Sequence, residues 1–236
     1  MIYRIAGLAI EIRARYEYVA RQCAAYLAPE GTNPDFSVEV TDEALAASQA
    51  QAPDFSIAYH ESLCVYREIC KKILAYGGIL LHAAVIEVDG RAYAFSAPSG
   101  TGKSTHISLW RRTFGERVQI INGDKPILRY EGGRFIAYGT PWCGKEGWQR
   151  NASAPLDAIC FLERNEENRI RRMTSAEAVD HIFHQLLRPK SAAEMDATLS
   201  LTDTLLREVS IYLLGCNISE EAARLAYETL SKGETV

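Results

Sequence analysis

Residues 97–104 read Ala97-Pro98-Ser99-Gly100-Thr101-Gly102-Lys103-Ser104, and the fold is decided by what this spacing can hold. Gly100 and Gly102 can take left-handed conformations that turn successive backbone N–H groups inward around an anion, which residues with a Cβ resist. Ser99, Thr101 and the following Thr105 belong to the same expected nucleotide-binding stretch. Lys103 supplies a mobile charge for the β/γ-phosphates, and the Ser104 hydroxyl is a magnesium ligand. Ala97 stands where a first glycine is usual, and alanine still fits a tight loop. The apolar stretch 92–95 comes before. The run 104–112, with Ile107, Leu109 and Trp110 ahead of Arg111 and Arg112, comes after. Strand, loop and helix therefore follow in order, with the positive end of the helix facing the anion. The expected ligands are a nucleoside triphosphate, taken as ATP only on a kinase reading, and magnesium.

Working outward, residues 79–87 and 91–95 read as strands joined by Val88-Asp89-Gly90, a hairpin turn. An antiparallel pair thus leads into the loop, whereas the commonest phosphate-loop folds place that strand in a parallel sheet. His82 lies within the first of these apolar segments and needs a polar partner if buried. It reads either as a satisfied core histidine or as the partner of a carboxylate. That carboxylate would be Asp124, at the end of the apolar strand Val118-Gln119-Ile120-Ile121-Asn122-Gly123-Asp124. An aspartate emerging there suits a general base that takes the acceptor hydroxyl's proton during phosphoryl transfer. The alternative is a turn closed by Asp124-Lys125-Pro126.

A Gly-rich stretch, 139–148, carries Glu146 as a second magnesium ligand, with Lys145 or Arg150 to neutralise transferring phosphate. It also reads as an ordinary loop with a surface ion pair. The apolar strand 158–162 ends in Glu163, in the manner of a Walker B element, and competes with Glu146 for the metal.

The chain has 236 residues, 47% of them hydrophobic, and a net charge of −4. That balance argues against a protein whose main task is holding nucleic acid. No apolar run approaches the about 18 residues that span a bilayer, and residues 1–13 lack a signal-peptide core. A cytoplasmic protein with no membrane partner is expected, its six cysteines reduced. His181 and His184 lack an evident third ligand and read as flanking the apolar face of a helix. A small α+β region is expected over 1–60, with strands at 3–12 and 36–40 and a helix over 16–27. A larger domain follows over 61–236. Its first helix, 61–76, stops at Gly77-Gly78. Its last third is helical, with capping boxes at 174–177 and 191–194, then a strand at 209–214 and a helix over 219–230. Residues 232–236 read as a disordered end.

His82, the run Ser96-Ala97-Pro98-Ser99-Gly100-Thr101-Gly102-Lys103-Ser104-Thr105 and Asn122-Gly123-Asp124 together resemble the C-terminal kinase domain of HPr kinase/phosphorylase. The likeness extends to its shorter relatives, some linked to modified-peptide biosynthesis. It covers about residues 77–230. It implies an α/β fold with α+β character: a phosphate-loop kinase domain related to phosphoenolpyruvate carboxykinase, with a mixed sheet and flanking helices, behind the small N-terminal α+β region read from residues 1–60. It also implies Lys103 on the β/γ-phosphates, Ser104 on magnesium, Asp124 as acid/base and His82 polarising that aspartate. Homo-oligomers are implied by analogy. Two departures stand out. HPr kinases typically carry two adjacent aspartates where this chain has Gly123-Asp124, and residues 1–60 are too few for their regulatory domain. The expected activity is phosphoryl transfer to a serine hydroxyl of a peptide or small protein. The alternatives are a kinase of a free metabolite such as an amino acid, and a nucleotide-binding regulatory module without an acceptor. No N-K-x-D motif marks a GTPase.

Overall fold

The chain begins as a hairpin. A computed structural model describes residues 1–232, so the remainder of the expected disordered end lies outside the described residues. Strands β1 (Ile2–Ile5) and β2 (Leu8–Arg13) pair antiparallel. Ala6 and Gly7 join them at φ 52° and 77°, the geometry that matches a two-residue turn to right-twisted strands. This corrects the expectation of one strand over 3–12: the apolar pattern runs straight through the turn, and only Gly7 marks it. The expected helix over 16–27 is likewise shorter, α1 (Glu17–Gln22) followed by a 3-10 turn, Ala24–Tyr26. Strand β3 (Phe36–Glu39) adds parallel to β2.

Helix α2 (Asp42–Gln51) was not expected. Thr41 caps it by accepting from the Ala44 N–H at 3.2 Å, but Leu45 is its one large buried apolar side chain, so no apolar stripe announces it. Helix α3 (Ile57–Lys72) continues as a 3-10 turn, Ile73–Tyr76, and ends at Gly77 with φ 72°. Its Val65, Tyr66, Ile69 and Cys70 join Tyr3, Ile10, Val19 and Tyr26 in one core. Residue 60 therefore falls inside α3, the helix that covers the small sheet.

The second sheet comprises β4 (Gly78–Leu80), β5 (Ala83–Val88), β6 (Arg91–Ser96), β7 (Val118–Asn122), β8 (Ile127–Glu131), β9 (Arg134–Tyr138), β10 (Ser153–Arg164), β11 (Arg169–Arg172) and β12 (Ser210–Cys216). Its order is β4-β8-β9-β10-β6-β5-β7, with β12 on β10 and β11 on β12. The β5–β6 pair is antiparallel, through Asp89 and Gly90 at φ 52° and 78°, while β6–β10 and β10–β12 are parallel. Helices α4 (Lys103–Phe114) and α7 (Glu220–Leu230) cover one face, where Ile107, Trp110, Ala226 and Leu230 meet Ile86, Phe95 and Cys160. Helices α5 (Ser175–Phe183) and α6 (Ala192–Glu208) cover the other, where Ala178, Ile182 and Leu205 meet Val85, Ile159 and Ile211. The result is a mixed α/β fold with flanking helices and a small α+β N-terminal region.

The strand expected over 79–87 is broken. β4 pairs with β8, β5 pairs with β6 and β7, and His82 lies between them rather than within a strand. Leu81 bridges to Leu186 and the His82 N–H donates to the Gln185 carbonyl at 2.8 Å, so the chain leaves one ladder to meet the end of α5 before entering the next. Of the two capping boxes, Thr174 and Glu177 form both bonds. Glu194 instead reaches past Ser191 to the Lys190 N–H at 3.0 Å. Among the described residues no helix is long and apolar enough to cross a membrane.

Candidate phosphate-loop site

The loop between β6 and α4 has the shape of an anion cradle. Gly100 and Gly102 sit at φ 79° and 128°, and a Cβ at either position would meet no atom within 4 Å. Backbone angle, not crowding, therefore selects glycine at both. Thr101 donates its N–H to the Pro98 carbonyl at 3.2 Å, and α4 starts at Lys103, directing its N-terminal N–H groups to the same hollow. Ser99 is exposed, Ser104 half-buried and Thr105 exposed. The Lys103 side chain folds back so that Nζ donates to the Ala97 carbonyl at 3.0 Å. Burial pulls its pKa down, while the charge of Asp124 works in the other direction. A buried ammonium with one carbonyl partner favours an arriving polyanion. The charges of Asp124 and Glu146 favour the ammonium, and that of Lys125 opposes it.

The histidine and the aspartate meet. His82 Nε2 lies 3.0 Å from Asp124 Oδ1, and Nδ1 lies 2.9 Å from Gln185 Oε1. The His82 carbonyl accepts from Ser96 Oγ at 2.8 Å, which ties this histidine to the residue before the phosphate loop. Lys125 Nζ takes the other oxygen, Asp124 Oδ2, at 2.7 Å. Burial opposes ionisation of Asp124, but the hydrogen bonds from His82 and Lys125 outweigh it and hold the carboxyl well below the usual carboxylate range. Asn122, fully buried, shapes the turn: its Oδ1 accepts from the N–H groups of Asp124 at 2.9 Å and Lys125 at 2.7 Å. Its amide NH2 donates to the carbonyls of Thr140 at 3.0 Å and Trp142 at 3.2 Å.

The loop over 139–150 closes the site from the side, and α3 holds it. The Trp142 ring stacks on Tyr66 with centroids 4.3 Å apart, and its Nε1 donates to Ser62 Oγ at 2.9 Å. The hydroxyls of Tyr66 and Thr140 both donate to the Lys125 carbonyl at 2.7 Å. A Cβ at Gly144 would stand 3.1 Å from Asp124 Cβ and 3.5 Å from Glu146 Oε2, so Glu146 and Asp124 flank the same glycine. Lys145 is exposed, and Arg150 turns away to Gln119 Oε1 at 2.9 Å. Gly123 donates to the Trp148 carbonyl at 2.8 Å, and a Cβ there would come within 3.0 Å of the Cys143 carbonyl. A second aspartate at position 123 would press on this loop.

Glu163 lines a cleft of about 660 Å³ together with residues 97–101 of the loop and Gln185. Its neighbour Arg164 grips the loop directly, donating to the carbonyls of Gly100 at 2.6 Å and Thr101 at 3.2 Å. The sequence named Lys125 only as part of a turn and gave no sign of Arg164 or Gln185; all three touch the site. Only Lys125, adjacent to Asp124, carried a local signal. Among the described residues no group of three His, Cys, Asp or Glu side chains could hold a metal. The Ser104 hydroxyl and the Glu146 carboxylate are oxygen donors of the kind that suits magnesium held largely by nucleotide phosphates.

No curated protein matches the chain. Among solved structures, the fold is similar to that of the Hpr(Ser) kinase/phosphatase from Coxiella burnetii, with a TM-score of 0.37 and 12% identity over 65% of this chain and 97% of that one. The sequence model of one family, described as SynChlorMet cassette protein ScmC, matches residues 54–219, more than half of the chain and the whole of the site. The chain belongs to that family.

Proposed function

We propose that the chain is an ATP- and magnesium-dependent kinase that transfers the γ-phosphoryl group to a serine hydroxyl of a peptide or small protein. The observation that carries this reading is the His82–Asp124 pair, at 3.0 Å, tied through Ser96 to the start of the phosphate loop. A nucleotide-binding module without an acceptor has no use for a carboxylate held by a histidine at the mouth of its phosphate site.

ATP supplies the transferred group, and magnesium neutralises charge on its phosphates. Backbone N–H groups of residues 99–104 and the Lys103 ammonium bind the phosphates, and Ser104 and Glu146 hold the metal. Asp124 orients the acceptor hydroxyl and accepts its proton. A carboxylate of low pKa is a weak base, but in a loose phosphoryl-transfer transition state the hydroxyl proton leaves late, and positioning counts for more than basicity. His82 fixes Oδ1, so Oδ2 is the oxygen that faces the acceptor. Lys125 holds Oδ2 in the free protein and must yield it, after which its ammonium is free to meet the transferring phosphoryl group.

The test is intact-mass analysis of serine-containing peptides after incubation with ATP and magnesium, with free serine in a parallel reaction. A phosphoryl adduct on a peptide is expected. Asp124→Asn should keep nucleotide binding and lose transfer by a factor on the order of 10² or more. Adducts on free serine alone would replace the peptide by a metabolite. Unchanged transfer in the variant would remove Asp124 as the base.

A further inference from the structure

A second pocket lies away from the phosphate loop, between α2, α3, β4 and the segment that joins α5 to α6. It encloses about 320 Å³, the size of small-ligand sites. None of its lining residues belongs to the phosphate loop or to the His82–Asp124 pair. Leu74, Ile79, Leu80, Leu186 and Leu187 give it an apolar floor.

Charge at its mouth is net positive: Arg67, Lys71, Arg188 and Lys190 against Glu68 and Glu194. Of the two acids there, Glu68 is paired with Lys71, and Glu194 is committed to the Lys190 N–H. Arg67, Arg188 and Lys190 are exposed, and among the described residues none of these side chains has a hydrogen-bond or ion-pair partner. A ligand with an apolar body and flanking carboxylates complements both floor and rim.

The segment that walls this pocket follows directly on Gln185, the support of His82. Gln185 accepts from the His82 N–H at 2.8 Å through its carbonyl and faces His82 Nδ1 at 2.9 Å through its side chain. The next residue, Leu186, bridges to Leu81, and Leu186 and Leu187 line the pocket. An apolar side chain seated between this segment and α3 would brace the residue next to Gln185.

We infer that this pocket binds an acidic, leucine-bearing segment of the peptide acceptor, remote from the serine that reacts, and that Gln185 relays its occupancy to His82. Naming the occupant as part of the acceptor rests on the kinase reading; the binding and the relay do not. An extended occupant is required because a ligand confined to this pocket touches neither Asp124 nor the loop.

The experiment uses the whole chain without nucleotide, so a failure of phosphoryl transfer cannot imitate a failure here. A fluorescein-labelled peptide alternating leucine and glutamate is titrated by fluorescence anisotropy. Saturable binding is expected, weakened on the order of tenfold or more in Arg67→Glu/Arg188→Glu and unaltered in Asp124→Asn. A lysine-for-glutamate peptide should not bind. In a 15N-histidine spectrum the His82 signals, assigned with His82→Gln, should shift when the acidic peptide is added to the wild-type protein and stay in place in Gln185→Ala. No binding, or equal binding to the double variant, overturns the site. Equal binding of a serine–glutamate peptide without leucine overturns the use of the apolar floor. Displacement of the peptide by N-acetyl-leucine at comparable concentration replaces the peptide occupant with a small acid. Binding with unmoved His82 signals overturns the relay.

Discussion

The two sides of the site are built on opposite plans. The phosphate loop has glycines with open space around them, positive backbone angles, exposed residues at 98–100 and a lysine that burial disfavours. The turn over 122–125 has a buried asparagine with its amide fully used, a carboxylate with a donor on each oxygen and a carbonyl that takes two hydroxyls. The glycines make the contrast plain. Gly139, beside the turn, would place a Cβ 1.9 Å from the Arg150 carbonyl and 2.7 Å from the Ile121 carbonyl, whereas at Gly102 it would touch nothing. One side is shaped before any ligand arrives, and the other is left for the ligand to complete.

Exchanging alanine into each side tests that contrast. Gly139→Ala forces backbone against backbone and should destabilise the protein by about 4 kcal/mol or more, read as a fall in the urea midpoint. A loss under about 1 kcal/mol would mean that the turn side is as loose as the loop. Acid sharpens the same comparison at smaller magnitude. The carboxyl of Asp124 is held below its unfolded value, so its contribution to stability is complete above about pH 5 and is lost as pH falls toward the folded value. The stability gap between wild type and Asp124→Asn should therefore be about 2 kcal/mol at pH 7 and close between about pH 5 and pH 2 in urea titrations. A gap independent of pH would show that the bonds from His82 and Lys125 do not favour the charged form. The smallest effect belongs to Gly102→Ala, which meets no crowding and bears only the cost of φ 128° for a residue with a Cβ. About 1 kcal/mol of stability should go, with a larger fall in ATP affinity by calorimetry, because the N–H groups no longer converge. A fall in stability matching that of Gly139→Ala would erase the distinction.

What could be read from the sequence follows from distance along the chain. The loop glycines, Lys103 and Ser104 occupy consecutive positions, so spacing alone placed them around one hollow. The His82–Asp124 meeting was legible because a buried histidine and a strand-end aspartate each needed a partner; in the fold the hairpin through Asp89-Gly90 pairs β5 with β6, and β7 returns after α4 to the other edge of β5. The break at Leu81-His82 was hidden, since an unbroken apolar run carries no mark of a ladder changing partners. Gln185 supports a histidine 103 positions away, and Arg164 binds loop carbonyls 63 and 64 positions away. Neither pattern nor propensity reports such contacts. The hold that α3 exerts through Tyr66, Ser62 and Trp142 escaped for the same reason, and with it the dependence of the site on a helix that also covers the small N-terminal sheet.

The hairpin has one more consequence, and it concerns the order of assembly. Strand β6 finds β5 across a two-residue turn, and β7 reaches β5 after one helix, while the parallel partner of β6 begins some sixty residues later in β10. Closing short loops costs little chain entropy and closing long ones costs more. The strand that presents the phosphate loop can thus be paired on one edge while β10 and β12 are still unstructured, and the distant half of the sheet condenses onto a cradle whose approach is already in place.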